Sequence, residues 1–573
     1  MQVSVLALGL GLLVSFAAAA EVKPGAVVPW TTYEAETAKT NGTILAPDYQ
    51  GQTPAREASG RSHVRLASKG DFIEFVAKNN AQGVVIRYSL PDGTGQARLS
   101  LKAGDHIAIN VALTSTLSHL YGAYPFTNDA SAGSPRNFWD EVRVMPGEIR
   151  AGDVVRLEIG AEGAESECLV DFLELETVEL PLAMPSGALS VADYGATPND
   201  DSDDRPALLA AIAAGKEQKK TVWIPAGRFV VKGPVEVSDV ALQGAGMWHT
   251  TLVGVADYAV ENRVSILGNG SNVTLSDFAV TGNLDYRNDS EPNDGIGGSF
   301  GTGSTLRNLW IEHTKAGVWI TNSDGILIEG CRFRNTIADG LNLCVGMRNS
   351  TVRNCSSRGT GDDGFAMWPA TYMPAKYAHG MNRFMNCTAQ LTSLAQGFSL
   401  YGGESNSVSD CLAIDIPLGA GLFTSTTFPT ELGFRGTTVF ERNRVVRAGA
   451  REGAIGFVAN RIDLVGLRFD DIEVIDSPND AVRFMSVGGR ALRDTSMSRI
   501  RITNAGTSGK GYGIASADDA VGSVRLQEVS VENAASGALR NVSPTFTIDG
   551  DKGIVDAKKH HPGAVAPGVA EKR

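Results

Sequence analysis

A short pattern, glycine followed by an apolar residue, any residue and a second apolar residue, returns through the middle of the chain at nearly constant intervals. It occurs as Gly295-Ile-Gly, Gly317-Val-Trp-Ile, Gly340-Leu-Asn-Leu, Gly364-Phe-Ala-Met, Gly397-Phe-Ser-Leu and Gly421-Leu-Phe-Thr, spaced by 22, 23, 24, 33 and 24 residues. One winding of a parallel β-helix takes about 20–30 residues, so the chain must stack windings on one another rather than close a single compact core. Weaker matches at Gly453, Ala481, Gly513 and Gly537 extend the stack to roughly ten coils. Strand periodicity then sends Val318, Ile320, Leu341, Leu343, Phe365, Met367, Phe398 and Leu400 inward, with Trp319, Asn342, Ala366 and Ser399 facing out.

The cysteines give the same register independently. Cys331, Cys355, Cys387 and Cys411 lie 24, 32 and 24 residues apart, within one residue of the glycine intervals, and are expected as an interior ladder of small apolar side chains. No Cys-x-x-Cys cluster points to a metal or a redox pair. The sequons at Asn349, Asn354 and Asn386 read as turn asparagines.

Around this core the texture changes twice. Residues 31–180 hold short alternating runs, such as Phe72-Ile-Glu-Phe and Val154-Val-Arg-Leu-Glu-Ile, at the spacing of a β-sandwich. A proline-containing stretch from Pro181 to Pro185 links this domain, 21–180, to the β-helix, 186–550. An Ala-rich segment from Arg205 to Lys220 reads as an amphipathic helix covering the open end of the stack, where unpaired strands would otherwise invite aggregation. Residues 1–20 are an apolar run ending in small residues, which predicts a cleaved leader and a secreted, extracellular or periplasmic protein, although the run carries no Lys or Arg. No later segment is long and apolar enough to span a bilayer as a helix. The tail 551–573 reads as disordered. A net charge of −13 argues against nucleic acid, whose phosphates need a basic face, and the expectation is a monomer acting on a polysaccharide.

The residues preceding the repeat glycines are Asp294, Ala316, Asp339, Asp363, Gln396 and Ala420. Equivalent positions on adjacent windings lie about 4.8 Å apart, which stacks Asp339 on Asp363 with Asp362 beside them. Carboxylates so close must share protons, raising at least one pKa. A protonated carboxyl next to an ionised one is what glycosidic cleavage requires: one protonates the leaving oxygen while the other activates water or attacks the anomeric carbon. Clustered carboxylates are also calcium ligands, which is the main competing reading. A spacing near 5 Å by itself suggests a retaining pair, since inverting pairs sit about 6.5–9.5 Å apart.

Two stretches carry resemblances. Val191-Ala-Asp-Tyr-Gly-Ala through Thr221-Val-Trp-Ile-Pro-Ala-Gly-Arg-Phe-Val-Val resembles the N-terminal cap of pectin-lyase-like β-helices. Thr336-Ile-Ala-Asp-Gly-Leu-Asn-Leu followed by Gly359-Thr-Gly-Asp-Asp-Gly-Phe-Ala-Met-Trp is similar to the active-site signature of glycoside hydrolase family 87, the α-1,3-glucanases and mycodextranases. That resemblance implies hydrolysis of α-1,3-glucosidic bonds with inversion, with Asp339, Asp362 and Asp363 as the three catalytic acids; Asp339 is read as the general acid, Asp362 and Asp363 as holding and activating water, and no cofactor is expected in catalysis. Polygalacturonases and family 49 dextranases share a related three-aspartate arrangement. His379-Gly380 matches part of the polygalacturonase pattern, but no convincing Arg-x-Lys accompanies it. Glu34, Glu36 and Asp171 resemble the structural calcium site of family 6 and family 35 carbohydrate-binding modules.

The 33-residue interval after Gly364 carries Trp368, Tyr372, Tyr377 and His379. An insertion beside an active site tends to build a cleft wall, and aromatic faces stack on sugar rings. Trp368 and Tyr401, at matching places on successive coils, are the expected substrate-binding residues, followed by His313 and Asp294. Trp139 and Tyr124 are candidate sugar-facing aromatics in the N-terminal domain. A polysaccharide lyase would need a cation near the acids, for which the central coils offer Lys376, Arg348, Arg353 and Arg358. A non-catalytic adhesin would have no reason to gather carboxylates at one height.

Overall fold

The computed structural model describes residues 23–550 apart from 52, 92–93, 118, 121–135, 161–166, 256–258, 290, 292–293 and 429–431. The expected leader, the tail 551–573 and Tyr124 lie outside the described residues.

The chain is all-β, a β-sandwich followed by a parallel β-helix. One parallel sheet of the helix contains 12 described strands, among them Ile296–Thr302, Val318–Asp324, Leu341–Leu343, Phe365–Met367, Phe398–Leu400 and Leu422–Ser425. Their register pairs Ile296 with Val318, Val318 with Leu341, Leu341 with Phe365, Phe365 with Phe398 and Phe398 with Leu422. The six repeat glycines therefore form one column. A side chain there has no room: a Cβ at Gly317 would lie 2.4 Å from the Gly340 carbonyl oxygen, and one at Gly340 2.5 Å from that of Gly364. The sheet has more strands than the roughly ten coils expected, because Pro234 and Ser265 stand in the column ahead of Gly295 and carry no glycine signature. Two weak matches are also one residue off. Pairing of Ile455 with Val482 and of Ile514 with Leu539 puts Ala454 and Ala538, rather than Gly453 and Gly537, in the column.

Inside the stack, Phe365 lies flat on Phe398 with centroids 5.1 Å apart, and the apolar core runs unbroken from Val191 to Phe546. The cysteines form the expected ladder: all four are buried and free, and the Cys331 and Cys387 amides donate to the sulfurs of Cys355 and Cys411. Asn443 takes the next rung, its side-chain oxygen accepting from the Cys411 amide. Asn349, Asn354 and Asn386 adopt positive φ of 50°, 51° and 50°, the left-handed turn conformation that asparagine tolerates. The cap helix spans Arg205–Gln218 and buries Ala207, Leu208, Ala211 and Ile212 against the first winding.

The sandwich packs two antiparallel sheets, with its first and last strands, Trp30–Glu34 and Cys168–Glu176, side by side. It is bolted to the β-helix by buried charge. Arg334 and Arg358 stack on adjacent windings. Arg358 forms paired hydrogen bonds with both Glu141 (2.7 and 2.8 Å) and Glu174 (2.6 and 2.9 Å), and Arg332 grips Glu176 at 2.7 Å twice. All of these side chains are less than 10% exposed. Trp139, one of the candidate sugar-facing aromatics, is wholly buried in the sandwich, its indole N–H donating to the Pro54 carbonyl.

Candidate active site

The glycine-column register brings Asp339 and Asp363 to the same station on successive windings, with the Asp363 amide donating to Asp339 Oδ1 at 3.2 Å. Oxygens of Asp339, Asp362 and Asp363 lie within 4.8 Å of one another. Asp339 and Asp363 are buried, while Asp362 keeps 26% of its side chain exposed. They form one wall of a cavity of about 820 Å³, the size of an oligosaccharide segment.

Burial, with the charges of Asp362 and Asp363 added to it, holds the Asp339 carboxyl well above the usual carboxylate range. The Asn342 side-chain amide, donating to Asp339 at 2.7 Å, only partly offsets this. Burial and the Asp362 charge push Asp363 up to about 7. Opposing that, its oxygens accept from the Gln396 amide (2.9 Å), the Ser399 hydroxyl (2.6 Å) and the Tyr401 hydroxyl (2.8 Å). Asp362 instead pairs with Arg287, whose Nη2 lies 2.6 Å from its Oδ2. Three acidic groups close enough to share a cation thus have a guanidinium on one and three hydrogen-bond donors on another.

The aromatic wall lies where the repeat places it. Trp368 and Tyr401 follow the paired residues Met367 and Leu400, and both line the cavity with Trp319, Tyr372 and Phe428. Trp319 donates its indole N–H to the Tyr372 hydroxyl at 3.0 Å. Tyr401 has a second task, since its hydroxyl is spent on Asp363 and its ring packs 4.8 Å from Phe428. Asp294 lines the cavity's other end, 3.6 Å from Lys315.

His313 does not join them. It is buried at the junction of the two domains with its Nε2 2.8 Å from Asp140, whose carboxylate raises its pKa against the lowering effect of burial. His313 takes a left-handed conformation with φ of 55°, as does Asn335, its counterpart on the next winding, and both side chains bond to Asp140 of the sandwich. His379 is buried too, its Nδ1 bonded to the Cys344 carbonyl. Glu34 and Asp171 are linked through Ser59, whose hydroxyl donates to Glu34 and whose amide donates to Asp171, each at 3.0 Å, but among the described residues the group of acidic side chains with oxygens all within 4.8 Å is Asp339, Asp362 and Asp363. Burial and then the charge of Asp171 push Glu34 up to about 8 and Glu36 up to about 7, while burial raises Asp171 to about 6 against the lowering effect of Arg87; the charge of Asp415, from the β-helix, acts on all three.

Sequence reasoning missed Arg287, Asp289, Glu291, Lys315 and Phe428, all of which line the cavity. No local signal marks Arg287, Asp289, Glu291 or Phe428, whereas Lys315, two residues before Gly317, holds the repeat station that Ala338 and Asp362 take on the next two windings. Arg287 and its acidic neighbours sit on the segment between the strands Thr274–Thr281 and Ile296–Thr302, outside any repeat. Of the cations weighed for a lyase, Arg358 is held in the domain interface, Arg353 pairs with Glu329, Arg348 with Glu404, and Lys376 lies over the Tyr377 ring, whereas two cations not weighed, Arg287 and Lys315, line the cavity with the acids.

Acidic groups with elevated pKa, facing aromatic side chains across a cleft on a parallel β-helix, define a glycoside hydrolase. Comparison with known proteins places it more closely: the family model "Alpha-1,3-glucanase catalytic domain D2" matches residues 207–547 and "Alpha-1,3-glucanase catalytic domain D1" matches residues 27–178, and the chain belongs to this α-1,3-glucanase family. Among solved structures, the catalytic unit of a thermostable GH87 α-1,3-glucanase from Streptomyces thermodiastaticus strain HF3-3 is similar at 30% identity and a TM-score of 0.79, covering 92% of this chain and 96% of that one. The Agl-KA catalytic domain aligns at 26% identity and a TM-score of 0.82, covering 92% and 98%. A 113-residue stretch is 36% identical to mannuronan C5-epimerase AlgE3 of Azotobacter vinelandii, spanning 18% of this chain and only 6% of that protein.

Proposed function

We propose that this chain hydrolyses α-1,3-glucosidic bonds in an α-glucan such as α-1,3-glucan or nigeran, with inversion at the anomeric carbon. The observation that carries the reading is the stacking of Asp339 on Asp363 beside Asp362, in a chain of the α-1,3-glucanase family. Asp339, the carboxyl with least reason to ionise, gives its proton to the glycosidic oxygen as the bond to the anomeric carbon breaks. A water held between Asp362 and Asp363 attacks the opposite face, and Asp363 takes its proton. The negative charge moves from Asp363 to Asp339, and exchange with solvent resets the pair. Spacing alone would also suit a nucleophile. Asp363, however, is 4% exposed with both oxygens bound by three donors, which suits taking a proton from water rather than travelling to carbon.

Sugar recognition rests on Trp368, Tyr401 and Asp294, with Trp319 and Tyr372 completing the wall. The Trp368 indole nitrogen and Asn342 Oδ1 are buried without a hydrogen-bond partner among the described residues, and substrate hydroxyls would satisfy them. A monomer is proposed, and the leading apolar run supports export to meet a polymer outside the cell. Incubation with α-1,3-glucan, nigeran, dextran and polygalacturonate, followed by reducing-end assay, is expected to give products from the first two alone. Proton NMR of the first product should show the β-anomer; an initial α-anomer would assign Asp363 to nucleophilic attack.

We further propose that Glu34, Glu36 and Asp171 hold a structural calcium ion. Oε2 of both glutamates is buried without a hydrogen-bond partner among the described residues, and hard cations favour such oxygens. Asp171 is the weakest of the three ligands because Arg87 and the Ser59 amide already engage it. Calcium added after chelation is expected to raise the melting temperature, and Glu34→Gln to abolish the response. A melting curve indifferent to both calcium and chelator would count against the site.

A further inference from the structure

Arg287 stands out because of where it comes from. It lies on the segment that precedes Ile296–Thr302, yet it meets Asp362, which adjoins a strand three windings further along the stack. At about 4.8 Å per winding that is a reach of roughly 14 Å, and the side chain ends 7% exposed between two carboxylates. Its Nε and Nη2 grip Asp289 at 2.7 and 3.2 Å, and Nη2 also donates to Asp362 at 2.6 Å. Burial works against its charge, but Asp362 and Asp289 carry its pKa above the ordinary value. Packing does not call for a guanidinium here, whereas three clustered carboxyls do.

We propose that Arg287 is a positioning residue that orients the Asp362 carboxylate and, with its own charge, sets the pH range over which the Asp339 and Asp363 pair shares its proton. The inference rests on the reading of these aspartates as the hydrolytic set. The groups facing Asp362 are Arg287, Asp289, Asp339 and Asp363, with the Tyr401 hydroxyl behind Asp363 and Glu291, Asp294 and Lys315 around the same cavity. Arg287 and Asp362 act on Asp339 with opposite signs, the first lowering and the second raising its pKa. Loss of the cation must therefore move the titration of the pair to higher pH, and loss of the Asp362 charge must move it to lower pH. A merely structural arginine predicts no such opposition.

The test is the pH profile of kcat/KM on a soluble α-1,3-linked oligosaccharide for the wild-type chain, Arg287→Met, Arg287→Lys and Asp362→Asn. Arg287→Met is expected to lose about 100-fold in kcat from misplacement of Asp362, with KM little changed. Its acidic limb should shift up in pH, and added guanidinium should restore part of the rate. Arg287→Lys should keep the limb in place while losing rate, since it retains the charge without the fork. Residual turnover by Asp362→Asn should show the limb shifted down. A folded Arg287→Met with a wild-type limb would overturn the proposal. Should Arg287→Met fail to fold, a lysine variant equal to wild type in kcat would overturn it instead. A wild-type chain inactive on every α-1,3 substrate would remove the hydrolytic reading itself, an outcome distinct from either.

Discussion

An Asp339→Asn variant is expected to lose hydrolysis of α-1,3-glucan by about 10³-fold or more in kcat, with KM close to wild type. Asparagine has the same shape but carries no proton that it can transfer to the leaving oxygen, so binding survives while the chemical step does not. The same substitution is expected to leave stability unchanged or raise it near neutral pH. Burial and two acidic neighbours lift the Asp339 pKa in the folded chain. A carboxyl raised in this way contributes stability below its unfolded pKa and loses it as pH rises through the folded value. Removing it relieves that loss. Steady-state kinetics and a melting curve on the same preparation check both halves, and a large fall in melting temperature with activity retained would assign Asp339 a structural role.

Arg358→Met is expected to destabilise the chain by about 3–5 kcal/mol, because it removes the guanidinium that pairs with both buried Glu141 and buried Glu174, leaving Glu141 only the more distant Arg334 and Arg87. Burial alone would raise the Glu141 pKa, and it is Arg358, with Arg334 and Arg87, that brings it below the ordinary value. The effect should extend to catalysis. Arg358 ends a strand whose next residues, Gly359 to Asp363, form the corner bearing two of the three aspartates, and Arg334 precedes Asp339 in the same way. Asp140 of the sandwich reaches that corner directly, accepting from the Asn335 side chain at 3.0 Å. The N-terminal domain thus braces the back of the site. Denaturant unfolding should show the loss, and combining Arg358→Met with Glu141→Gln and Glu174→Gln should recover part of it. An unchanged midpoint would mean that the interface charges contribute nothing net.

How much of this could be read in the sequence follows from how each feature is encoded. The glycine column and the cysteine ladder are periodic, and a parallel stack has only one register that satisfies both. The positions of Asp339, Asp363, Trp368 and Tyr401 follow from that register alone. Where the column is filled by alanine, serine or proline the signal thins, which moved two matches by one residue and concealed the first windings. Arg287 acts across windings from an irregular segment, and no spacing within the chain reports such a reach, whereas Lys315 stands in the repeat two residues before Gly317 and was legible there. His313 shows the converse error: named among the substrate-binding residues, it meets Asp140 of the sandwich instead. The domain interface was hidden because its partners, Arg332, Arg334 and Arg358 against Glu141, Glu174 and Glu176, look like ordinary strand charges until two domains meet.

The most direct test of the shared-proton site is difference infrared spectroscopy of the substrate-free chain against Asp339→Asn at about pH 6, where an ordinary aspartate is ionised. The stacked arrangement predicts that the variant loses a protonated carboxyl band. Loss of an ionised carboxylate band alone would show Asp339 charged at rest and would contradict its role as the proton donor.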